Sequence, residues 1–240
     1  MSFHFDYEKS VPVGLPDHAL DNMIARQLQP HIMMPPILTK ALGTVRRQPF
    51  VPALYRNHCH GDANIPLHNP GTPRFLLAPL TLGRLLQRVA LKTDQQQESK
   101  ILILAGGKGY STALTSEMGL ISYLVENQSD LSQEASQNLK AYPNAQVYQR
   151  TDLTAGLPEH SPFDIIFIDG GAVSEIPPEL IKQLKENGFI LALLKRSLVE
   201  AEKIALCWGV KLWANGTKEI LFDGFAPMNQ DFNKPVTFDL

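Results

Sequence analysis

Between residues 100 and 194, short apolar runs alternate with stretches of helical period, and that order limits the chain to few architectures. The strand candidates are 100–105, 120–126, 145–150, 163–169 and 188–194, and the helical candidates are 110–118, 128–140 and 177–185. Short apolar runs separated by helices point to a parallel, doubly wound sheet. The end of the chain departs from this rhythm. Segments 203–214 and 217–223 follow one another with no room for a crossover helix, and Asn215-Gly216 between them is a hairpin turn signal. The expected core is therefore a mainly parallel α/β sheet that closes on an antiparallel hairpin.

The first 80 residues are less regular and heavily punctuated by proline. Residues 1–15 read as a loose lead-in. Pro16-Asp17 can start a helix in which Leu20, Met23, Ile24 and Leu28 share a face. Pro36 to about Val45 reads as a second short helix, and 49–79 as a long structured loop. A further helix carries Leu82, Leu85, Leu86 and Val89, and the polar run 93–99 reads as a surface connection. The whole, 1–240, is expected to be one domain: a helical and loop cap over 1–79 and the α/β core over 80–240.

Charge and cysteine usage narrow the partners. A formal charge of −2 without a long basic cluster argues against a nucleic-acid binder. No apolar run approaches the roughly 18 residues that span a bilayer, so no membrane partner is expected. No basic-then-apolar leader opens the chain, and Cys59 and Cys207 make no disulfide framework. The expected setting is cytoplasmic. His58-Cys59-His60, with Asp62 and His68 nearby, has metal-compatible residue types but matches no zinc spacing, so no metal is expected.

The strand Ile101–Leu104 runs into Ala105-Gly106-Gly107-Lys108-Gly109 and then a helix. Such a turn lets backbone N–H groups approach a ligand closely. The loop is not a P-loop, because Gly109 follows Gly107-Lys108 where Ser or Thr is required. Nor is it the dinucleotide fingerprint, whose last glycine would fall on Thr112. A plain strand-to-helix turn remains open at this point. The surroundings favour a ligand. Glu126 ends the next strand, where a carboxylate can accept from a ribose diol. Asp152-Leu153 follows the third strand, within reach of an adenine edge, and Asp169 ends the apolar run Ile165–Ile168. Ligands of open α/β sheets bind at such strand ends.

At this point the chain resembles the protein-L-isoaspartate O-methyltransferase family over nearly its whole length. Asn22-Met23 and Gln27-Leu28 match the family's first helix. Val45-Arg46-Arg47-Gln48-Pro49-Phe50-Val51-Pro52 matches its Val-Pro-Arg-x-x-Phe-Val-Pro box, with Arg46 for Pro. Asp62 with Ile65-Pro66-Leu67, Phe163–Ile166, and Ile176-Pro177 to Gln183-Leu184 also match. The resemblance implies a class I S-adenosylmethionine-dependent, Rossmann-like methyltransferase fold. It implies a seven-stranded, mainly parallel sheet with an antiparallel C-terminal hairpin and an N-terminal helical extension. It implies S-adenosylmethionine as cofactor, bound by Ala105, Gly106, Gly107, Gly109, Glu126, Asp152, Leu153 and Asp169. The acceptor implied is a carboxylate of a protein or peptide, the isoaspartyl residue of damaged proteins, with Asp62 at the catalytic centre.

Two departures fall on the functional motifs. In the family's acidic-x-Gly-x-Gly-x-Gly loop, this chain has Ile103 for the acidic residue and Ala105 for the first glycine. Loss of one charge-assisted hydrogen bond costs about 1.5–3 kcal/mol, so weakened cofactor affinity is expected. Where the isoaspartyl enzymes carry a Thr-Ile-Ser motif, this chain reads Arg74-Phe75-Leu76-Leu77-Ala78-Pro79, which resembles a divergent bacterial branch of the family. An ionised carboxylate needs no strong base to accept a methyl group, so the change removes substrate orientation rather than proton transfer. Arg74 is the residue expected to compensate, by a bidentate pair with the acceptor carboxylate. The alternative is a catalytically degenerate member with a binding or regulatory role, or a methyltransferase with another substrate. A nicotinamide-dependent oxidoreductase is disfavoured by the failed fingerprint and the terminal hairpin.

Overall fold

A computed structural model describes residues 18–67, 73–93, 98–199 and 204–232. The lead-in, Pro16-Asp17, His68 and most of the 93–99 connection lie outside the described residues.

The core is a seven-stranded sheet. In chain order its strands are β3 (Lys100–Leu104), β4 (Ile121–Glu126), β5 (Ala145–Gln149), β6 (Phe163–Val173), β7 (Leu184–Val199), β8 (Ile204–Trp213) and β9 (Lys218–Pro227). Their spatial order is β5-β4-β3-β6-β7-β8-β9, and the first five are mutually parallel. A separate two-stranded ladder, β1 (Ile65–Pro66) with β2 (Phe75–Leu76), sits in the N-terminal third. Residue alternation along β3 explains the two covered faces. Ile101 and Ile103 join a cluster with Leu28, Leu38, Leu85 and Leu114, whereas Leu102 and Leu104 join Leu157, Ile166, Ile168 and Leu180. A strand buried on both faces reads as a continuous apolar run, which is why Ile-Leu-Ile-Leu sits there.

The helices follow the expected periods with two differences. Those expected are α1 (His18–Asn22), α2 (Pro36–Thr44), α3 (Pro79–Thr93), α4 (Tyr110–Glu117), α5 (Ser129–Asn138) and α6 (Pro178–Ile181). The first continues into a π-helical turn over Met23–Leu28. The last is one turn rather than the expected nine residues, because Leu184 already pairs with Phe163 in the β6–β7 ladder. β7 also runs longer than 188–194, since it pairs with β8 from Phe189 to Val199. The antiparallel end is thus a three-stranded meander rather than a lone hairpin. The β8–β9 turn uses Asn215-Gly216 as its sequence indicates: Gly216 has φ 86°, and Asn215 Oδ1 accepts from Thr217 N–H at 2.9 Å.

Arg47 of the family box fastens the N-terminal third. Its side chain is fully buried, donating from Nε to the Cys59 carbonyl at 2.7 Å and from Nη2 to the Leu77 carbonyl at 2.6 Å. Its guanidinium also lies 4.9 Å from the centroid of the Tyr110 ring at the start of α4. One side chain therefore ties together the 53–60 loop, the 74–79 segment and the first core helix. Hydrogen bonds to charged donors contribute about 1.5–3 kcal/mol each. Replacing Arg47 with Met, which keeps the bulk and removes the donors, is expected to lower stability by about 3–5 kcal/mol in urea unfolding.

Candidate cofactor site

The strand order reverses at β3, whose neighbours are β4 and β6. At such a switch point the loops leaving adjacent strands diverge and open a crevice at their carboxyl ends. The glycine loop lies there. Ala105, Gly107 and Gly109 take φ of 62°, 57° and 92°, and Gly109 N–H closes the turn on the Gly106 carbonyl at 3.0 Å. Ala105 is the only non-glycine residue with positive φ among the described residues, at the position where the family motif has its first glycine. An L-residue pays roughly 1–2 kcal/mol for that conformation.

Glu126 and Asp169 reach this crevice from β4 and β6. Both are buried. Asp169 accepts from Ser111 Oγ–H at 2.6 Å and from Gly170 N–H at 2.7 Å. Burial raises its pKa from the ordinary carboxylate value to about 6, against the lowering pull of those two bonds and of Arg74 and Arg47.

Arg74 is the residue the sequence placed differently. Its expected partner was an acceptor carboxylate; in the structure the bidentate partner is Glu126. Arg74 Nε donates to Glu126 Oε2 at 3.1 Å and Nη2 to Oε1 at 2.9 Å, and both side chains have 0% exposure. This placement has a simple cause. The ladder Ile65↔Leu76 and Pro66↔Phe75, with Leu67 N–H bonded to the Arg74 carbonyl at 2.8 Å, lays this segment across the sheet's carboxyl edge. Alternation then turns Arg74 inward and Phe75 outward. A second segment completes the guanidinium's shell: Nη1 donates to Asn229 Oδ1 at 3.1 Å, and Nη2 also reaches Asn127 Oδ1 at 2.9 Å and Asp231 Oδ2 at 2.7 Å. Burial by itself would depress this guanidinium, but Glu126 and Asp231 outweigh it and raise its pKa. Asn229 further donates to the Asp169 carbonyl at 3.0 Å, and its own N–H bonds the Ala172 carbonyl at 2.8 Å.

Glu126 is saturated in consequence. Besides Arg74, its Oε2 accepts from Gly107 N–H at 2.9 Å, and its Oε1 from the N–H groups of Asn127 and Gln128 at 2.9 and 3.2 Å. A carboxylate offers about four lone-pair sites. The glycine loop is equally filled. A Cβ on Gly107 would meet Leu67 Cδ1 at 2.4 Å and Arg74 Cγ at 3.4 Å, and one on Gly170 would meet Arg74 Cδ at 2.8 Å. The Arg74 stem therefore runs from the glycine loop to Gly170 within β6, across the mouth of the switch point.

The other expected site residues lie apart from this knot. Asp152 is exposed, and its Oδ1 accepts from Thr154 N–H and Oγ1–H at 2.8 and 2.6 Å, while Leu153 is buried in the apolar layer. Asp62 is exposed and its Oδ1 accepts from Leu80 N–H at 2.9 Å in the first turn of α3. Lys108 turns from the crevice toward α5 and pairs with Glu134 at 2.6 Å. Phe75 and Leu77 stand where the family motif has hydroxyls; Leu77 is a core residue, and Phe75 lines a cavity of about 530 Å³ with Ala63, Asn64, Pro73, Met228 and Gln230. Asn127, Asn229 and Asp231 drew no notice in the sequence, because nothing local marks residues that meet Arg74 from 53 to 157 positions away.

The model of the family described as protein-L-isoaspartate(D-aspartate) O-methyltransferase matches residues 19–204. The chain belongs to the protein-L-isoaspartate O-methyltransferase family. It is 31% identical over 169 residues to the protein-L-isoaspartate O-methyltransferase of Opitutus terrae, covering 70% of this chain and 69% of that one. It is 28% identical over 172 residues to that of Methylorubrum populi, covering 72% and 77%. A Plasmodium falciparum structure assigned to the same enzyme, solved with S-adenosyl-L-homocysteine, shares the fold with a TM-score of 0.70 at 17% identity, covering 89% of this chain and 97% of that one. The chain is thus a protein-L-isoaspartate O-methyltransferase-like protein of the S-adenosylmethionine-dependent class, and the cofactor of that class is S-adenosylmethionine.

The glycine loop, Glu126 ending β4 and Asp169 within β6 converge at the switch point. Arg74 and Leu67 cover the loop, and Glu126 has its acceptor sites taken.

Asp169 gives the site a pH signature. Its folded pKa of about 6 lies above the ordinary 3.8, so the folded state holds a proton that the unfolded chain has released. Its contribution to stability is complete below about pH 4 and is lost as pH rises through about 6. Asp169→Asn, which keeps an acceptor for Gly170 N–H and a donor for Ser111, removes that loss. The variant is expected to match the parent near pH 4 and to exceed it by about 3 kcal/mol above pH 6.5, measured by urea unfolding across the range.

Proposed function

We propose that this protein transfers the methyl group of S-adenosylmethionine to a carboxylate of a protein substrate, with the isoaspartyl residue as acceptor, from a state in which Arg74 has left the crevice. The observation that carries this reading is the convergence of the glycine loop, Glu126 and Asp169 at one switch point in a chain of this family. In that state we assign Ala105, Gly106, Gly107 and Gly109 to cradling the cofactor, Glu126 to its ribose and Asp169 to the floor of the site. Asp152 and Leu153 are placed at the adenine side. Asp62 acts through structure, holding the start of α3 beneath the acceptor side.

The acceptor side is the cavity lined by Phe75, Asn64 and Met228. Among the described residues that line it there is no cation, since Arg74 faces the other way. An ionised carboxylate is poorly solvated in an apolar pocket, so the acceptor gains its cation when Arg74 is freed from Glu126. A second reading, a binding or regulatory role without catalysis, is favoured by the same Arg74–Glu126 pair, which is fully buried and well satisfied.

Transfer of labelled methyl from S-adenosylmethionine to paired isoaspartyl and aspartyl peptides tests the first reading. Base-labile label, the mark of a methyl ester, is expected on the isoaspartyl peptide and not on its partner. Equal absence of label on both, with the cofactor shown to be bound, would leave the second reading standing.

A further inference from the structure

The crevice holds a ligand that belongs to the chain. We infer that the Arg74 guanidinium is an internal occupant of the cofactor site, held there by Asn229 and Asp231, and that S-adenosylmethionine enters only when this latch opens. The inference rests on the cofactor reading of the site and not on the identity of the methyl acceptor.

Three observations carry it. The first is chemical mimicry: Glu126 is placed at the strand end where a carboxylate takes a ribose diol, and Arg74 supplies two parallel N–H donors in its stead. The second is steric: the Arg74 stem packs at contact distance over Gly107 and would meet a Cβ on Gly170 at 2.8 Å, so a cofactor atom cannot take the same space while the stem is there. The third is the form of the holding shell. Asn229 and Asp231 come from a short segment after β9, which reaches the site through these two side chains and rests on the core through Phe232. Asn229 joins Arg74 to the Asp169 carbonyl, Asp231 joins Arg74 to the Asn127 amide, and Asn229 N–H anchors the segment on β6. Asp231 is the rim of this shell, with 16% of its side chain exposed, whereas Arg74 has none. The latch therefore has one partly exposed side, at Asp231, while Asn229 is fully buried.

A ligand whose competent state is a minor fraction of the population binds with its affinity reduced by that fraction. Weakening the latch must then tighten cofactor binding, the opposite of what loss of a merely structural ion pair would do. The test is calorimetric titration of S-adenosylmethionine, and separately of S-adenosylhomocysteine, into the parent protein, Arg74→Ala and the double variant Asn229→Ala with Asp231→Asn. Both variants are expected to bind at least about tenfold more tightly than the parent. They are also expected to show a larger cofactor-induced rise in melting temperature despite a lower starting value. Should Arg74→Ala fail to fold, the double variant, which leaves the Arg74–Glu126 pair intact, carries the comparison alone. Parent affinity equal to or tighter than that of the folded variants overturns the latch, and leaves the proposed function intact if labelled methyl still reaches the isoaspartyl peptide. Absence of binding in parent and variants alike overturns the latch together with the cofactor reading. Tightened binding without transfer in the double variant, which keeps Arg74, upholds the latch and removes the proposed acceptor.

Discussion

A fully buried guanidinium facing a fully buried carboxylate is the interaction on which this molecule's site depends. Removing one partner from such a pair leaves an uncompensated charge and costs about 3–5 kcal/mol, so the pair constrains everything that touches it. Arg74 can sit beside Glu126 only because the β1–β2 ladder lays its segment over the carboxyl edge of the sheet, and because Gly107 and Gly170 have no side chains in its way. Arg47 fixes the other end of the same segment through the Leu77 carbonyl. The N-terminal third is thus more than a cover for the apolar face of the sheet. It is the arm that delivers a cation to the switch point.

The charges around that cation do not balance one to one. Glu126 and Asp231 both contact Arg74, and Asp169 lies close enough for Arg74 to lower its pKa. Burial pushes the Asp169 pKa up to about 6 all the same. Three carboxylates, Glu126, Asp231 and Asp169, face the guanidiniums of Arg74 and Arg47, an acidic balance that suits a cationic ligand, and a sulfonium cofactor is one. The protein meets the demand with its own side chain.

Much of the fold was legible in the sequence, because the apolar runs of a doubly covered parallel sheet are dense and unambiguous. Ile101–Leu104 and Ile165–Ile168 fall on β3 and β6 as their composition indicates, and Asn215-Gly216 makes the β8–β9 turn. The extension of β7 to Val199 was not legible, since its partner β8 is what organises that stretch. In the site, the glycine loop and the strand-end carboxylates were readable from spacing along the chain. The destination of Arg74 was not. An arginine beside an apolar cavity looks the same in sequence whether it faces the cavity or the core, and the choice was made by strand alternation in a two-residue ladder and by Asn229 and Asp231, which approach from the far end of the chain.

The alternation that turns Arg74 inward also turns Phe75 outward, and Met228 and Gln230 flank Asn229 in the same fashion. The crevice and the cavity accordingly share two segments, 74–75 and 228–230, as a common wall. Two compartments that share such a partition cannot be thermodynamically independent if the partition moves. Any molecule that fits the cavity better with the wall displaced must raise the affinity of the crevice for its own ligand, and by linkage the reverse effect has the same size.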